Sequence, residues 1–130
     1  LLTQEDIEHI LSMTFLDVRL KHYVEIRGAD SMPFEYVMAY LALVKGIFFD
    51  SAVLDGLLDR YNIREGDVRA AEKSLADDGF NGSVYGQAAS EFAESLLELA
   101  ETGLEDSERI YLLPFRQNVL HRTTLKLFYR

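Results

Sequence analysis

Residues 17–30 read Asp17-Val18-Arg19-Leu20-Lys21-His22-Tyr23-Val24-Glu25-Ile26-Arg27-Gly28-Ala29-Asp30. Between residues 18 and 27 the side chains alternate without a break. One face carries Val18, Leu20, His22, Val24 and Ile26, and the other carries Arg19, Lys21, Tyr23, Glu25 and Arg27. Successive side chains of an extended backbone point to opposite sides, so this period of two predicts one half-buried β-strand over residues 18–27. Gly28 predicts a turn or a close backbone approach at its end.

The polar face of this predicted strand carries three cations, a phenol and one carboxylate. Two interpretations fit it. Charged outward faces are usual on the surface strands of antiparallel sheets. Alternatively, the face lines a substrate site, where Glu25 would hold a divalent cation and Arg27 would bind a phosphate or carboxylate in a bidentate fork. The pattern alone leaves both open.

Composition limits the class of protein. The chain has 130 residues, 48% of them hydrophobic, which predicts one globular domain or less. Its net charge of −9 argues against nucleic acid as the main partner, because phosphate binding needs a basic surface. No cysteine is present, so disulfides and thiolate metal sites are excluded, which fits a reducing compartment. No membrane partner is expected, since the longest apolar run, residues 36–49, is too short to span a bilayer.

Most of the remaining sequence predicts helices. Thr3 followed by an acid at Asp6 predicts a helix start, and a helix should cover residues 4–13. Residues 34–49 are apolar nearly all round, which predicts a helix buried on most sides that backs the apolar face of the strand. Asp50 or Ser51 should cap the next helix. The sequence thus predicts five to six helices and one principal strand, a mainly α fold.

The second half predicts two further helices at residues 64–78 and 87–102, ended by Gly79 and Gly103. Residues 80–86 between them are rich in glycine and predict an irregular loop. Pro114 predicts a kink or a restart in the last helical region. Several cations make this end basic, and we expect it to dock against acidic helices: Arg109, Arg116, Arg122, Lys126 and Arg130.

Residues 15–21 followed by residues 23–30 resemble glutamate–cysteine ligase, in the branch found in plants and many bacteria. The most specific part is Glu25-Ile26-Arg27-Gly28-Ala29-Asp30. Later features resemble the same family: Tyr85-Gly86 before a helix rich in Ala, Leu and Glu, and Leu96-Leu97-Glu98-Leu99-Ala100 running into Gly103-Leu104. The resemblance covers nearly the whole chain, and only its C-terminal quarter matches loosely.

This resemblance implies an ATP-dependent ligase that joins L-glutamate to L-cysteine through a γ-glutamyl phosphate, the first step of glutathione biosynthesis. It implies ATP and Mg²⁺ as cofactors, Glu25 as a metal ligand and Arg27 as the catalytic contact to the transferring phosphate. Arg19 and Lys21 are further candidates for binding substrate or ATP. Asp30 is more suited to capping the next helix.

The resemblance also implies that residues 1–130 are the helical C-terminal part of a larger α+β catalytic domain, whose antiparallel sheet lies mostly outside this chain. Leu1 in place of methionine agrees with a longer natural protein. We therefore expect this segment alone to be inactive and its location to be cytoplasmic.

Two alternatives stay open. The chain contains no complete catalytic set, which would also suit a non-catalytic helical module that binds another protein. A related carboxylate–amine ligase with a different amine is the other, since no cysteine pocket can be identified in the sequence. The sequence does not specify the oligomeric state. A longer reading frame upstream would favour the ligase.

Overall fold

The computed structural model describes residues 3–13, 17–20, 22–29 and 31–124 of the chain. Among these residues there are six α-helices, two short 3₁₀ turns and two antiparallel hairpins of two strands each. The chain divides into two compact units, Leu1–Ser31 and Met32–Arg130. The predicted mainly α fold is confirmed.

The first unit begins with helix α1, Gln4–Met13. The Thr3 hydroxyl oxygen accepts a hydrogen bond from the Asp6 N–H at 3.2 Å, and the Asp6 carboxylate accepts one from the Thr3 N–H at 2.8 Å. This reciprocal pair satisfies N–H groups that the first turn of a helix leaves without a partner. The Thr3 N–H and the Thr3 hydroxyl, which donates to the same carboxylate at 2.7 Å, lower the pKa of the Asp6 carboxyl below its usual value. The predicted helix start is confirmed.

The prediction of one continuous strand over residues 18–27 is wrong. The stretch forms a hairpin of β1, Val18–Leu20, and β2, Val24–Ile26. Its antiparallel register pairs Val18 with Ile26, Arg19 with Glu25 and Leu20 with Val24. In this register odd-numbered residues pair with odd-numbered residues and even-numbered residues with even-numbered ones. The two-faced alternation therefore survives in the hairpin, which is why the sequence pattern does not distinguish it from one strand.

The second unit contains the other five helices: α2 (Phe34–Phe48), α3 (Ser51–Arg60), α4 (Glu65–Asp78), α5 (Ala89–Thr102) and α6 (Leu113–His121). Asp50 caps α3 as predicted, because its carboxylate accepts hydrogen bonds from the N–H groups of Ala52 at 2.9 Å and Val53 at 3.3 Å. A 3₁₀ turn at Arg109–Leu112 leads into α6, and Pro114 lies in the first turn of that helix. The predicted restart at Pro114 is confirmed.

The core of this unit forms between α2, α5, the 3₁₀ turn and α6. Its buried residues are Ala42, Ile47, Leu97, Ala100, Leu104 and Leu112. The Tyr36 hydroxyl donates a hydrogen bond to Asn118 Oδ1 at 3.2 Å and thereby links α2 to α6. Helix α2 is not buried on most sides as predicted, since Phe34, Leu41 and Phe48 are exposed. The buried residues of α2 are Tyr36, Ala39, Ala42, Gly46 and Ile47.

Helices α2 and α5 approach each other backbone to backbone. A β-carbon added at Gly46 would overlap the carbonyl group of Ala100, and one added at Gly103 would overlap the carbonyl group of Gly46. Ala100 itself is fully buried. Gly103 does stand at the end of α5, as predicted, but its φ of −92° is available to any residue. Its lack of a side chain serves the helix contact instead.

The predicted irregular loop at residues 80–86 is wrong in part. A 3₁₀ turn at Gly79–Asn81 is followed by a second hairpin of β3, Ser83–Val84, and β4, Gln87–Ala88. Helix α5 consequently begins at Ala89 and not at residue 87. The hairpin packs against α4 and α5, where Ala71, Val84 and Ala89 form a second buried cluster.

No single helix of the described part is long and apolar enough to span a membrane. Helices α2 and α3 together reach that length and composition, but an 84° bend separates them.

Two ion pairs connect the helices of the second unit. Arg116 of α6 binds Glu101 of α5 through Nε at 2.7 Å and Nη2 at 2.6 Å, which confirms the expected docking against an acidic helix for Arg116. Lys126 and Arg130 of the same prediction lie outside the described residues. Lys45 of α2 pairs with Glu108. The hydrogen bond from Arg116 lowers the pKa of Glu101. The bonds from Lys45 and from the Glu105 N–H likewise lower the pKa of Glu108.

Gly46→Ala should destabilise the second unit, although alanine is the better helix former. Helix propensity favours the substitution by about 1 kcal/mol. Overpacking against the Ala100 carbonyl should cost more, and we expect a net loss of about 1–3 kcal/mol in the free energy of unfolding. Urea denaturation followed by circular dichroism measures this difference.

Gly66→Ala is the matched control, because it lies within α4 and an added β-carbon meets nothing within 4 Å. It should stabilise the chain by about 0.5–1 kcal/mol. If the two variants changed stability in the same direction and by similar amounts, the close contact between α2 and α5 would be absent.

Stability should fall in acid through Glu101 and Glu108. Both carboxyl groups have a lowered pKa in the folded state, so the unfolded chain binds more protons at acidic pH. The stabilisation is complete above the ordinary glutamate pKa of about 4.3 and is lost as pH falls through the lowered folded value. Thermal unfolding at a series of pH values should show a shallower acid loss for Glu101→Gln. Glu72→Gln, an exposed position on α4, should keep the wild-type slope, and equal slopes for both variants would contradict the assignment.

Candidate functional site

The first hairpin brings three of the predicted site residues together. Arg19 and Glu25 are direct cross-strand partners, and Arg27 is the first residue after β2. The N–H of Arg27 donates a hydrogen bond to the Asp17 carbonyl at 2.6 Å, which extends the pairing of the hairpin past Ile26. Since partners in an antiparallel pair project to the same side, Arg19 and Glu25 share one face.

The three charged side chains form one cluster, which we call the hairpin triad: Arg19, Glu25 and Arg27. Arg19 approaches the same oxygen of Glu25 twice, with Nε at 2.8 Å and Nη2 at 2.7 Å from Oε2. Arg27 Nε lies 4.0 Å from the other oxygen, Oε1. One carboxylate thus stands between two guanidinium groups, and the triad carries a net charge of +1.

Burial distinguishes the triad from an ordinary solvated face. The side chains of Arg19, Glu25 and Arg27 are 21%, 32% and 27% exposed. On the apolar face of the same hairpin Leu20 is 81% exposed and Val24 is 61% exposed. The charged face is therefore the better covered one, the reverse of what hydrophobicity alone predicts. Charges that are partly withdrawn from water interact more strongly than surface charges do.

This arrangement is chemically suited to binding an anion. A guanidinium presents five N–H donors in a planar fork that matches a carboxylate or a phosphate. Glu25 fixes the Arg19 side chain and lies beside Arg27, so the cluster combines a held geometry with an excess positive charge. A fixed donor geometry lowers the entropy that a ligand must overcome on binding.

The described residues do not by themselves form a magnesium site. They contain no group of three or more His, Cys, Asp or Glu side chains that could hold a metal ion. Glu25 supplies one carboxylate, and it already faces both guanidinium groups. Magnesium requires about six oxygen ligands in octahedral geometry, some of which are usually substrate phosphates and waters. The metal-binding role of Glu25 stays a prediction.

Two other residues of the predicted site region, Lys21 and Asp30, lie outside the described residues. The pairing of Arg19 with Glu25 was not anticipated, because six positions separate them on a presumed straight strand. The turn that joins them carries His22 and Tyr23, whose rings pack edge to face with centroids 4.7 Å apart. Glycine and asparagine are the usual signals of a tight turn, and neither is present there.

Comparison with known proteins identifies related sequences. No family model matches the chain, and no solved structure matches it. Glutamate–cysteine ligase, chloroplastic, of Medicago truncatula is 33% identical over 106 residues, and that of Brassica juncea is 34% identical over 108 residues. Each match covers 79% of this chain and 20% of the relative. The Arabidopsis thaliana enzyme of the same name is 32% identical over 105 residues, with 77% and 19% covered.

These relatives also correct one expectation. All three are named as chloroplastic enzymes, so the cytoplasmic location predicted from the sequence is contradicted. The chain spans about one-fifth of the length of the relatives it matches. The predicted resemblance to glutamate–cysteine ligases is confirmed, since about 79% of the chain is similar in sequence to the plant enzymes of that name.

Proposed function

We propose that this chain forms part of an ATP-dependent ligase that makes γ-glutamylcysteine from L-glutamate and L-cysteine. The hairpin triad is the observation that carries the proposal. Glu25 and Arg27, which belong to the motif that resembles the ligase family, lie in a partly buried cluster with a net positive charge. The similarity to plant glutamate–cysteine ligases supports it. Since the chain spans about one-fifth of those relatives, the remaining site would come from residues outside it.

The proposed reaction has two steps. An oxygen of the glutamate γ-carboxylate attacks the terminal phosphorus of ATP, and ADP leaves with the electron pair of the broken P–O bond. The amine of cysteine then attacks the acyl carbon of the mixed anhydride, phosphate leaves, and the amine gives up a proton. Each step moves negative charge between oxygens, so fixed positive groups and accurate positioning supply most of the catalysis.

Within this reaction we assign Arg27 to the anionic phosphate of the substrate or the acyl phosphate. Arg19 would act mainly as a positioning residue, because both of its contacts go to one oxygen of Glu25. Glu25 would hold the two guanidinium groups apart and in place. We propose ATP as the phosphoryl donor and magnesium as its counter-ion. Glu25 offers one of the several oxygens that magnesium needs, and substrate phosphates, waters and residues outside this chain would supply the others.

The two alternatives, a non-catalytic binding module and a ligase with another amine, differ in how they would use the hairpin triad. A non-catalytic binding module would use the hairpin face as a contact surface, and the charge geometry of the triad would not affect any reaction rate. A ligase with another amine would need the same triad, because activation of the carboxylate precedes the choice of amine. The rate of ADP formation with glutamate alone and with each amine separates these cases.

Arg27→Lys tests the assignment in the full-length ligase that we propose carries this chain. Lysine keeps the charge but replaces a planar fork with a point donor, so a bidentate contact to phosphate is lost. Loss of a donor to charge that develops in the transition state typically costs about a hundredfold to a thousandfold in rate, and we expect a fall of that size in kcat. Coupled measurement of ADP release gives the rate.

Arg69→Lys is the matched control, the same substitution in an exposed i,i+4 ion pair with Glu65 on α4. It should leave the rate within about twofold, since such surface pairs contribute little. A rate for Arg27→Lys within about twofold of the parent enzyme would show that Arg27 does not contact the transferring phosphate.

A further inference from the structure

The second unit contains a cleft of about 470 Å³ that the proposed ligase chemistry does not use. It lies between the end of α3, one face of α4 and the β3–β4 hairpin. Clefts that bind small molecules commonly measure about 300–1,000 Å³, so this volume suits a ligand of modest size. The residues that give the cleft its chemistry are Arg60, Tyr61, Asn62, Asp67, Ser74 and Tyr85.

The space exists because one face of α4 carries small side chains. Asp67, Ala70, Ala71 and Ser74 follow helical spacing and all line the cleft. The rings of Tyr61 and Tyr85 also line the cleft, and their centroids are 5.9 Å apart. The cleft is therefore lined by short side chains of α4 and by two aromatic rings, Tyr61 and Tyr85, which we call the aromatic wall.

Phe92 and Gln87 fix the two rings of the aromatic wall. Phe92 of α5 packs edge to face against Tyr61 at 5.7 Å and against Tyr85 at 5.5 Å between centroids. The Gln87 amide donates a hydrogen bond to the Tyr61 hydroxyl at 2.9 Å. Rings fixed in this way lose little further freedom when a planar ligand packs on them, which favours binding.

Tyr85 occupies a backbone conformation that its side chain disfavours. It has φ of +52°, and Gly86 beside it has φ of +84°. Two positive φ values between paired strands define a type I′ turn, in which asparagine, aspartate or glycine fits the first position. A bulky residue at positive φ is a genuine outlier, and such strain concentrates at functional sites. The turn geometry does not require a tyrosine, so its ring is the feature that this position supplies.

Two opposite charges flank the aromatic wall. The Arg60 guanidinium lies over the Tyr61 ring at 5.8 Å from its centroid. In the described part of the chain no ion pair joins Arg60 to any carboxylate, Asp67 included, although acids outnumber Lys and Arg by 22 to 13. Oδ2 of the Asp67 carboxylate accepts the Arg64 N–H at 2.9 Å, which is an N-cap contact of α4, and no ion pair with Asp67 occurs among the described residues. One cation and one anion are thus available at the same cleft.

We propose that this cleft binds a free aromatic α-amino acid. The aromatic side chain would pack on Tyr61 and Tyr85, the carboxylate would pair with Arg60, and the ammonium group would pair with Asp67. The two opposite charges favour a zwitterion, since a doubly charged phosphate ligand would be repelled by Asp67. This proposal is independent of the ligase assignment, because it uses none of the triad residues.

L-Tryptophan is the probe, since the chain contains no tryptophan and indole fluorescence therefore reports only the ligand. Titration of the 130-residue chain should change the indole emission saturably, with a dissociation constant on the order of 1 mM or tighter. N-acetyl-L-tryptophan lacks the ammonium group and L-tryptophanamide lacks the carboxylate, and each should bind about fivefold to tenfold more weakly. Preferred binding of the amide would identify the N-terminal residue of a peptide as the ligand and would overturn the proposal of a free amino acid.

Tyr85→Asn is the decisive variant. Asparagine suits the first position of a type I′ turn, which offsets the loss of the Tyr85 ring packed on Phe92, so the chain should stay folded while L-tryptophan binding is lost. Arg60→Gln should weaken binding about tenfold, whereas Arg69→Gln, which removes an exposed guanidinium outside the cleft, should leave it within about twofold. The absence of saturable binding, equal effects of Arg60→Gln and Arg69→Gln, or full binding by a folded Tyr85→Asn would each overturn the proposal. Should Tyr85→Asn fail to fold, the comparison of the two arginine variants decides.

Discussion

The second unit depends on the approach of two helix backbones at Gly46, Ala100 and Gly103. Without β-carbons at the glycines, α2 and α5 come close enough for peptide groups to touch, and no other side chain could occupy either position without moving a helix. The surrounding core residues Ile47, Leu97 and Leu104 then reach full contact with one another. Interiors packed to crystalline density tolerate little extra volume, so this contact constrains every element that touches the helix pair.

Two ion pairs lie beside the contact between α2 and α5. Lys45 precedes Gly46 and is directed toward Glu108, and Glu101 lies beside Ala100 and is directed toward Arg116. The two ion pairs thus flank the glycine contact in sequence and tie the last third of the chain to the same helix pair. Each pair is partly exposed, so its contribution to stability is modest and depends on pH. Packing determines the architecture, and the ion pairs select the orientation of α6 and of the 3₁₀ turn before it.

Helix boundaries were predictable from the sequence because their signals are local. Thr3 with Asp6, Asp50 and Pro114 each mark a helix start through bonds or backbone angles within one turn.

Both hairpins were missed for physical reasons. In the first hairpin the register pairs odd residues with odd and even with even, which preserves the alternation, and at Tyr85-Gly86 the first turn position carries a residue that is rare there. The exposed side of α2 could not be predicted either, since composition reports how apolar a helix is and not which neighbours cover it.

Candidate site residues were identified by their motif, whereas their arrangement was not. Glu25 and Arg27 were selected from the motif that resembles the family, with Arg19 as a further candidate on the same face, and the structure does group the three. Nothing in the alternation indicates that Arg19 would hold Glu25 across a hairpin, because that contact depends on where the chain reverses. The aromatic cleft was missed altogether. Its signal is the backbone angle of Tyr85 together with residues drawn from α3, α4 and the second hairpin, and neither is visible in sequence periodicity.

The hairpin is the claim on which the functional account rests, and a nuclear Overhauser spectrum of the isotope-labelled chain tests it most directly. The account predicts cross-strand contacts between Val18 and Ile26 and between Leu20 and Val24, together with a contact between the side chains of Arg19 and Glu25. A spectrum with strong sequential contacts from residue 18 to residue 27 and no cross-strand contacts would show a single strand. It would remove the geometry on which the triad depends.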